Sequence, residues 1–183
     1  MNNDSVLLEI DAQVGINTPD WGVRSQPDAE QNIARLLQAF RQADQKVIHV
    51  QHDALKASSP LWPGTPGHAF MPEAVPASGE PIFNKTVNSA FIGTTLEAYL
   101  REHDLNSLVV AGFTTDHCIS TSVRMAGNLG FDVTVIADAT GTHERRDSNG
   151  THFSAETIHA TALASLHDEF ARITTTEAFL LAS

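Results

Sequence analysis

The segment at residues 107–137, SLVVAGFTTDHCISTSVRMAGNLGFDVTVIA, carries the clearest structural signal in this chain. It begins with an apolar run at 107–113, continues with a stretch of helical character at 118–129, and ends with a second apolar run at 131–137. Short apolar runs bounded by turn residues are typical of strands that are buried on both faces of a parallel sheet. The segment therefore predicts a β-α-β unit.

The same alternation extends in both directions along the chain. Apolar residues spaced three and four apart, such as Ile33, Leu36 and Phe40, predict further helices, and short apolar runs predict further strands. This alternation predicts an α/β fold, a three-layer α/β/α sandwich with a six-stranded parallel sheet, in a single domain at 1–183. The predicted strands are 6–10, 46–51, 82–84, 107–113, 131–137 and 171–174, and the predicted helices are 28–44, 93–104, 118–129, 154–170 and 176–181.

Composition and charge limit the partners of the protein. The 183 residues include 11 Lys+Arg against 22 Asp+Glu, which gives a formal net charge of −11. This balance argues against nucleic acid and anionic membrane surfaces as partners. We therefore expect the partner to be a small-molecule substrate. The chain has one cysteine, its first residues lack the positive charge of a signal peptide, and no apolar run approaches the ~20 residues that span a bilayer. We therefore expect a cytoplasmic protein.

Residues 53–80 interrupt the alternation of strands and helices. They contain five prolines and three glycines. A loop of this length inside a compact domain is usually functional or disordered. Because it also carries Trp62, Phe70 and Met71, we expect an ordered lid or wall of a binding site.

Three reactive side chains stand at the carboxyl ends of predicted strands, Asp11 after the first, Lys85 after the third and Cys118 after the fourth. Open parallel sheets bind ligands in the crevice at these ends, so we expect the three side chains to share one crevice. A thiol attacks a carbonyl as the thiolate. A carboxylate can accept its proton, and an ammonium group favours the resulting anion. Cys118 also opens the predicted helix, where free backbone N–H groups favour negative charge.

Five segments of the chain resemble the isochorismatase-like cysteine hydrolases. Residues 110–119 (VAGFTTDHCI) resemble the nucleophile motif of that family, and 8–13 (LEIDAQ) resemble its N-terminal Asp-x-Gln motif. Residues 84–96 (NKTVNSAFIGTTL) are similar to the lysine motif of that family. Residues 63–67 (PGTPG) are similar to a loop that is common in the family. Residues 155–171 (AETIHATALASLHDEFA) are similar to a C-terminal pattern of many members. The resemblance covers nearly the whole chain, in order.

The resemblance implies an α/β/α sandwich and a catalytic Asp-Lys-Cys triad, which on the matching positions is Asp11, Lys85 and Cys118. It also implies a non-proline cis peptide between Phe113 and Thr114, which would help to turn the backbone N–H groups of Thr114 and Cys118 toward an oxyanion. Members of the family are usually dimers or larger, so we expect a homodimer or higher homo-oligomer. We expect no cofactor.

The bond that is cleaved follows less directly from the sequence. The family includes nicotinamidases, ureido- and carbamoyl-amidases, streptothricin-type lactam hydrolases and isochorismatases, and the last cleave a vinyl ether without depending on the cysteine. Because Cys118 stands in an intact motif, we expect hydrolysis of a C–N bond in a small amide, ureido compound or lactam through a thioester. The alternatives are a vinyl-ether hydrolase of the isochorismatase type and a non-catalytic binding protein on the same fold.

Nicotinamidases carry a metal site with an Asp-x-His step after the second strand, where this chain has His49-Val50-Gln51-His52. Residues three apart in a strand point to opposite faces, so His49 and His52 are poorly placed as a pair of ligands, even with His68 as a third. We predict no metal site, with His52 lining the crevice.

Small cyclic or aromatic amides suit an apolar pocket with a few polar groups. We expect specificity to reside in the loops at 12–27, 53–80 and 139–153, and Asp138 and His143 could also reach the crevice. The residues that we expect to contact the substrate are Gln13, Trp62, Phe91 and Phe113.

Overall fold

The structure, a computed structural model, describes residues 5–182. The strands are β1 (Ser5–Ile10), β2 (Lys46–His52), β3 (Ile82–Lys85), β4 (Ser107–Phe113), β5 (Asp132–Gly141), β6 (Arg145–Arg146), β7 (His152–Phe153) and β8 (Arg172–Thr174). Six of them form one parallel sheet in the order β3-β2-β1-β4-β5-β8. β6 and β7 form a separate antiparallel pair. The predicted six-stranded parallel sheet is confirmed.

Within the described residues, five α-helices cover the two faces of the sheet. They are α1 (Ala29–Gln42), α2 (Leu96–Glu102), α3 (Ser120–Asn128), α4 (Ala155–Leu166) and α5 (Thr176–Leu181). Successive side chains of a strand alternate between faces, so Leu7 and Leu8 of β1 belong to different cores. α1 and α5 pack on the Leu7 side, and α2, α3 and α4 pack on the Leu8 side. The result is the predicted α/β/α sandwich. Within residues 5–182, no helix combines the length and the apolarity that a membrane span requires.

The structure differs from the prediction around the end of β4. β5 continues to Gly141, past its predicted end at residue 137, because a register shift lets its last residues pair with Gly112 and Phe113. The helix predicted from Cys118 begins instead at Ser120, since residues 115–119 form a wider π-helical turn.

Gly112 allows the backbones of β1 and β4 to approach closely. It pairs with Ile10 and has a φ of 121°. A Cβ atom at this position would lie 1.9 Å from the Ile10 carbonyl oxygen, so no side chain fits here. This contact holds the end of β1 against the end of β4, the two strand ends that lead to Asp11 and Cys118.

The loop at 53–80 packs onto the body of the protein beside the end of β1. Leu61 and Met71 are buried in the core on the α1 side. The Met71 N–H donates to the Ala12 carbonyl at 2.8 Å, and the Val14 N–H donates to the Ala69 carbonyl at 2.9 Å. The loop therefore forms a wall along the turn that follows Ile10.

Two buried ionisable side chains and a half-buried one join β1, β2 and the end of this loop. Glu9 and His49 are register partners and are fully buried. His49 Nδ1 lies 2.9 Å from Glu9 Oε2, and His49 Nε2 lies 2.8 Å from Glu80 Oε2. Burial raises the pKa of Glu9. Burial opposes the charge on His49, but the two carboxylates outweigh it and raise the pKa of the ring.

Replacing His49 with leucine is expected to lower the free energy of unfolding by about 3–5 kcal/mol, as removal of one partner from a buried ion pair does. Leucine is of similar size but leaves the Glu9 carboxyl without its partner. Chemical denaturation at pH 7 would measure the loss. The double variant Glu9→Gln/His49→Leu should recover part of it, because the unpaired acid is gone. A loss below about 1 kcal/mol in the single variant would contradict this interpretation.

Candidate active site

The carboxyl ends of β1, β3 and β4 bring the three predicted catalytic side chains together. Lys85 lies between the other two, because its Nζ is 2.6 Å from Asp11 Oδ2 and 3.3 Å from Cys118 Sγ. Lys85 and Asp11 are each 1% exposed, and Cys118 is of intermediate exposure. One ammonium group therefore bridges a buried carboxyl group and the thiol.

Asp11 stands where β1 turns into the following loop. Its φ of 56° lies in the left-handed region, which aspartate tolerates better than most residues, and its N–H donates to the Val50 carbonyl. Burial raises the pKa of the Asp11 carboxyl, and the adjacent Lys85 opposes that shift. Among the described residues, Asp11 Oδ1 has no hydrogen-bond partner. This oxygen is therefore available to accept a proton.

Cys118 lies in the π-helical turn Thr115–Ile119 between β4 and α3. Burial raises the pKa of its thiol to about 12, the Asp11 carboxylate adds to the shift, and Lys85 opposes it. The resting group is thus a neutral thiol at pH 7. The prediction that Cys118 opens a helix is wrong, because α3 begins two residues later. The charged groups beside the thiol are the side chains of Asp11 and Lys85.

Polar side chains fix the turn that carries Cys118. The Thr115 hydroxyl lies 2.9 Å from Nδ1 of the buried His159 in α4. The Asp116 carboxylate accepts a hydrogen bond from the Thr142 hydroxyl and another, at 3.1 Å, from Nε of Arg145. No sequence pattern indicates these contacts, because their partners lie 26 to 44 residues away along the chain.

A cavity of about 110 Å³ opens beside the Cys118 thiol. The peptide bond between Phe113 and Thr114 in its wall is cis, as the resemblance implied. Thr114 and Cys118, the residues expected to offer N–H groups to an oxyanion, both line the cavity. A larger and more open cleft of about 480 Å³ shares Trp21 as a wall, but Asp11, Lys85 and Cys118 do not line it. The residues that line the smaller cavity are Asp11, Ile16, Trp21, His52, Leu61, Asn88, Phe113, Thr114, His117 and Cys118.

Gln13, a predicted substrate contact, has a different position. Its side chain is fully buried, and among residues 5–182 it is not part of the cavity lining. Its Nε2 donates to the carbonyls of His52 and His68, and its Oε1 accepts from the His52 N–H. The side-chain amide is therefore bonded to the backbone at the end of β2 and in the loop at 53–80.

Two predicted aromatic contacts also lie outside the cavity lining, which among the described residues includes Phe113 but neither Phe91 nor Trp62. Phe91 packs on Phe131 in the core, with ring centroids 5.9 Å apart. Trp62 remains 37% exposed on the loop at 53–80. The tryptophan in the cavity wall is Trp21, from the loop at 12–27. No spacing in the sequence indicates that Trp21 and not Trp62 takes this position.

Asp138 and His143, which follow the predicted fifth strand, also have other partners. Asp138 Oδ1 accepts from the Thr176 N–H and hydroxyl, at 2.7 and 2.8 Å, at the start of α5. His143 is buried, with its ring centroid 5.4 Å from that of Trp21. Among residues 5–182, its Nδ1 has no hydrogen-bond partner, and His143 does not line the cavity.

Burial, together with the charges of Arg24 and Arg145, lowers the pKa of His143 to about 4. In the unfolded chain a histidine has a pKa of ~6.5. Between about pH 4 and pH 6.5, this residue therefore binds a proton in the unfolded chain but not in the folded protein. Stability is therefore expected to fall as the pH drops from about 6.5 to about 4. Urea denaturation across this range should show a shallower fall for His143→Gln than for wild type. Equal slopes would contradict the assignment.

The three histidines near the end of β2 and in the loop at 53–80 have contacts other than a metal ion. His49 bonds to Glu9 and Glu80, and His68 Nε2 lies 2.7 Å from Asp53 Oδ1. His52 contacts Lys85. In the described part of the chain, no three His, Cys, Asp or Glu side chains are placed to share a metal ion.

The fold and the site together define an α/β protein with a cysteine, a lysine and an aspartate at the carboxyl edge of a parallel sheet. The chain belongs to the isochorismatase family of hydrolases, since the family pattern described as the Isochorismatase domain matches residues 5–178. A similar solved structure is that of a putative hydrolase of the isochorismatase family from Chromobacterium violaceum. It shares 44% identity and a TM-score of 0.96, with 100% of this chain and 95% of that chain covered.

Relatives of known sequence agree with this assignment. The uncharacterized isochorismatase family protein YrdC of Bacillus subtilis is 43% identical over 97% of this chain and 95% of its own length. Streptothricin hydrolase of Streptomyces noursei is 29% identical over 75% of this chain and 50% of its own length. Ureidoacrylate amidohydrolase RutB of Agrobacterium fabrum is 28% identical over 60% of each.

Proposed function

We propose that the protein is a cysteine-dependent hydrolase that cleaves a C–N bond of a small amide, ureido compound or lactam through a thioester. One observation carries the proposal: the Lys85 ammonium lies within 3.3 Å of both the Asp11 carboxyl and the Cys118 sulfur, beside a cavity. A nucleophile, a base that can take its proton and a cation that favours the anion are the parts that covalent acyl transfer needs.

The proposed reaction begins when Asp11 takes the Cys118 proton while Lys85 stabilises the thiolate. The sulfur attacks the carbonyl carbon, and the oxyanion accepts hydrogen bonds from the backbone N–H groups of Thr114 and Cys118. The tetrahedral intermediate then loses its amine, which receives the proton from Asp11. Asp11 next takes a proton from water, whose hydroxide attacks the thioester, and the carboxylic acid leaves as Cys118 regains its proton.

The raised pKa of Asp11 supports the roles of base and acid in this sequence. A carboxyl group with an ordinary pKa near ~4 is a weak base toward a thiol. Burial makes Asp11 more basic. Its Oδ1 has no other partner in residues 5–182, so the proton has a free acceptor.

The walls of the cavity favour a small substrate without a negative charge. Ile16, Trp21, Leu61 and Phe113 provide apolar surface, and the volume is about 110 Å³. In the described part of the chain, no arginine or lysine side chain lines the cavity, so a substrate carboxylate would lack an ion-pair partner there. Neutral amides and lactams are therefore favoured over ureido acids. Streptothricin hydrolase and ureidoacrylate amidohydrolase among the relatives support hydrolysis at C–N bonds in general.

A vinyl-ether hydrolase is the second candidate, because the raised pKa of Asp11 also suits a carboxylic acid that donates a proton to an enol ether. Such a reaction would not need the Cys118 thiol. Ammonia or amine release from a panel of neutral amides, lactams and ureido acids, with isochorismate as an additional compound, separates the two. Turnover of a C–N substrate that also leaves an acyl adduct on Cys118, detected by acid quench and intact-mass measurement, would support the thioester route. Turnover of isochorismate alone would replace it.

A further inference from the structure

The side chain of Lys85 must extend past β2 to reach its partners. In the order β3-β2-β1-β4, β2 separates β3, which carries Lys85, from β1, which leads to Asp11. His52 is the register partner of Lys85 on β2. Its Nδ1 lies 3.2 Å from Lys85 Nζ, so the imidazole stands beside the path of the lysine side chain.

The Lys85 ammonium has more acceptors than protons. Within 3.3 Å of Nζ lie Asp11 Oδ2 at 2.6 Å, His52 Nδ1 at 3.2 Å, the Val87 carbonyl oxygen at 3.2 Å and Cys118 Sγ at 3.3 Å. An ammonium group has three N–H donors, and a thiol sulfur is a weak acceptor. The imidazole nitrogen and the sulfur therefore compete for the third proton, and the imidazole is the better acceptor.

His52 is suited to act as a neutral acceptor. A ring that accepts at Nδ1 carries its own proton on Nε2. Burial and the charges of Lys85 and His68 lower the pKa of His52, against the opposing effects of Asp11 and Asp53. The neutral form, which alone can accept from Lys85, is thus the form present at pH 7.

Gln13 fixes the position of this imidazole. Its Oε1 accepts from the His52 N–H at 2.9 Å, and its Nε2 donates to the His52 carbonyl at 3.2 Å. The peptide units on both sides of the His52 Cα are held by one buried side chain. The ring is therefore presented both to Lys85 and to the cavity that it lines.

We propose that His52 is a positioning residue, which occupies one N–H of Lys85 while no substrate is bound and thereby keeps Cys118 a neutral thiol. The catalytic meaning of this role rests on the proposed function. Activation of the nucleophile then requires the third N–H of Lys85 to turn from the imidazole to the sulfur, as the thiol proton moves to Asp11. The only cysteine of the chain is held unreactive until that exchange.

Ultraviolet absorption of the thiolate tests the proposal without any substrate. The signal of wild type minus that of Cys118→Ala isolates the single thiol, and it is followed from pH 8 to pH 12, because the wild-type thiol has a pKa of about 12. His52→Leu removes the acceptor, so its thiolate should appear at a pH at least about one unit lower than in wild type. His52→Asn places a side-chain oxygen near the position of Nδ1 and should remain close to wild type. Alkylation by iodoacetamide at pH 8 should be about tenfold faster in the leucine variant.

The proposal would be overturned if the leucine variant titrates like wild type, or if the leucine and asparagine variants shift equally. A merely structural role would open the site to iodoacetamide but would leave the pH midpoint of the absorption unchanged, and that result also counts against it. His52→Val provides a second variant without an acceptor, in case leucine disturbs packing. Since neither readout uses turnover, a failure of the proposed hydrolysis would leave these measurements interpretable.

Discussion

Replacing Cys118 with alanine is expected to abolish turnover of the C–N substrate, with a loss of at least about 10³-fold in kcat. Alanine removes the sulfur that would form the thioester, and no other thiol exists in the chain. Ammonia or amine release at saturating substrate measures the loss.

The controls for this variant test whether the fold is intact and whether the site still binds the substrate. Cys118 is only partly buried, so the melting temperature should change little. Binding of the substrate to the variant, measured by calorimetry, should persist because the other residues that line the cavity are unchanged. Near-normal turnover by a folded Cys118→Ala protein would refute the cysteine mechanism. No turnover by either protein, with binding retained in both, would favour a binding protein on this fold.

Replacing Asp11 with asparagine is expected to reduce kcat by a similar factor and to destabilise the protein as well. Asparagine cannot accept the thiol proton, and its amide leaves the buried Lys85 ammonium without a counter-charge 2.6 Å away. Loss of one partner of a buried ion pair costs about 3–5 kcal/mol. Because groups that act as a unit are not additive, the Asp11→Asn/Cys118→Ala double variant should be no slower than the slower single variant.

Asp138→Asn is a matched control for this substitution. Asp138 is also a carboxylate on the sheet, but it binds the start of α5 and does not line the cavity. Asparagine can still accept those hydrogen bonds, so turnover should remain close to wild type. If Asp11→Asn keeps most of its activity while Cys118→Ala loses it, another group accepts the thiol proton and the role assigned to Asp11 is wrong.

The fold was largely predictable from the sequence because its elements are set by local patterns. The apolar runs gave the six strands, and the rule that parallel sheets bind ligands at the carboxyl ends of their strands placed Asp11, Lys85 and Cys118 together. The exact start of α3 was not predictable. The π-helical turn before it depends on bonds from residue 115 to His159 and from residue 116 to Thr142 and Arg145, which no local pattern encodes.

The substrate-facing residues were predicted less well, for a physical reason. Whether an aromatic residue faces a cavity or the core depends on how a loop packs, and Trp21 and Trp62 both lie in irregular segments. Gln13 is predicted to contact the substrate, but the backbone that its side chain bonds, at the end of β2 and in the loop at 53–80, comes close only in three dimensions. The cytoplasmic location and the homo-oligomeric state remain predictions, the second of which light scattering on the purified protein would measure.

The three central side chains come from distant parts of the chain, and this has a consequence for folding. The contact between Lys85 and Asp11 spans 74 residues, and that between Lys85 and Cys118 spans 33. Contacts of such separation form only after long loops have closed, late in the assembly of a parallel sheet. We therefore expect the environment of the single thiol to be complete only when β3, β1 and β4 have been aligned. In a refolding experiment, the time at which Cys118 becomes protected from a pulse of thiol reagent would show when these central strands have come together. Cys118 is the one cysteine of the chain, so no engineered probe is needed.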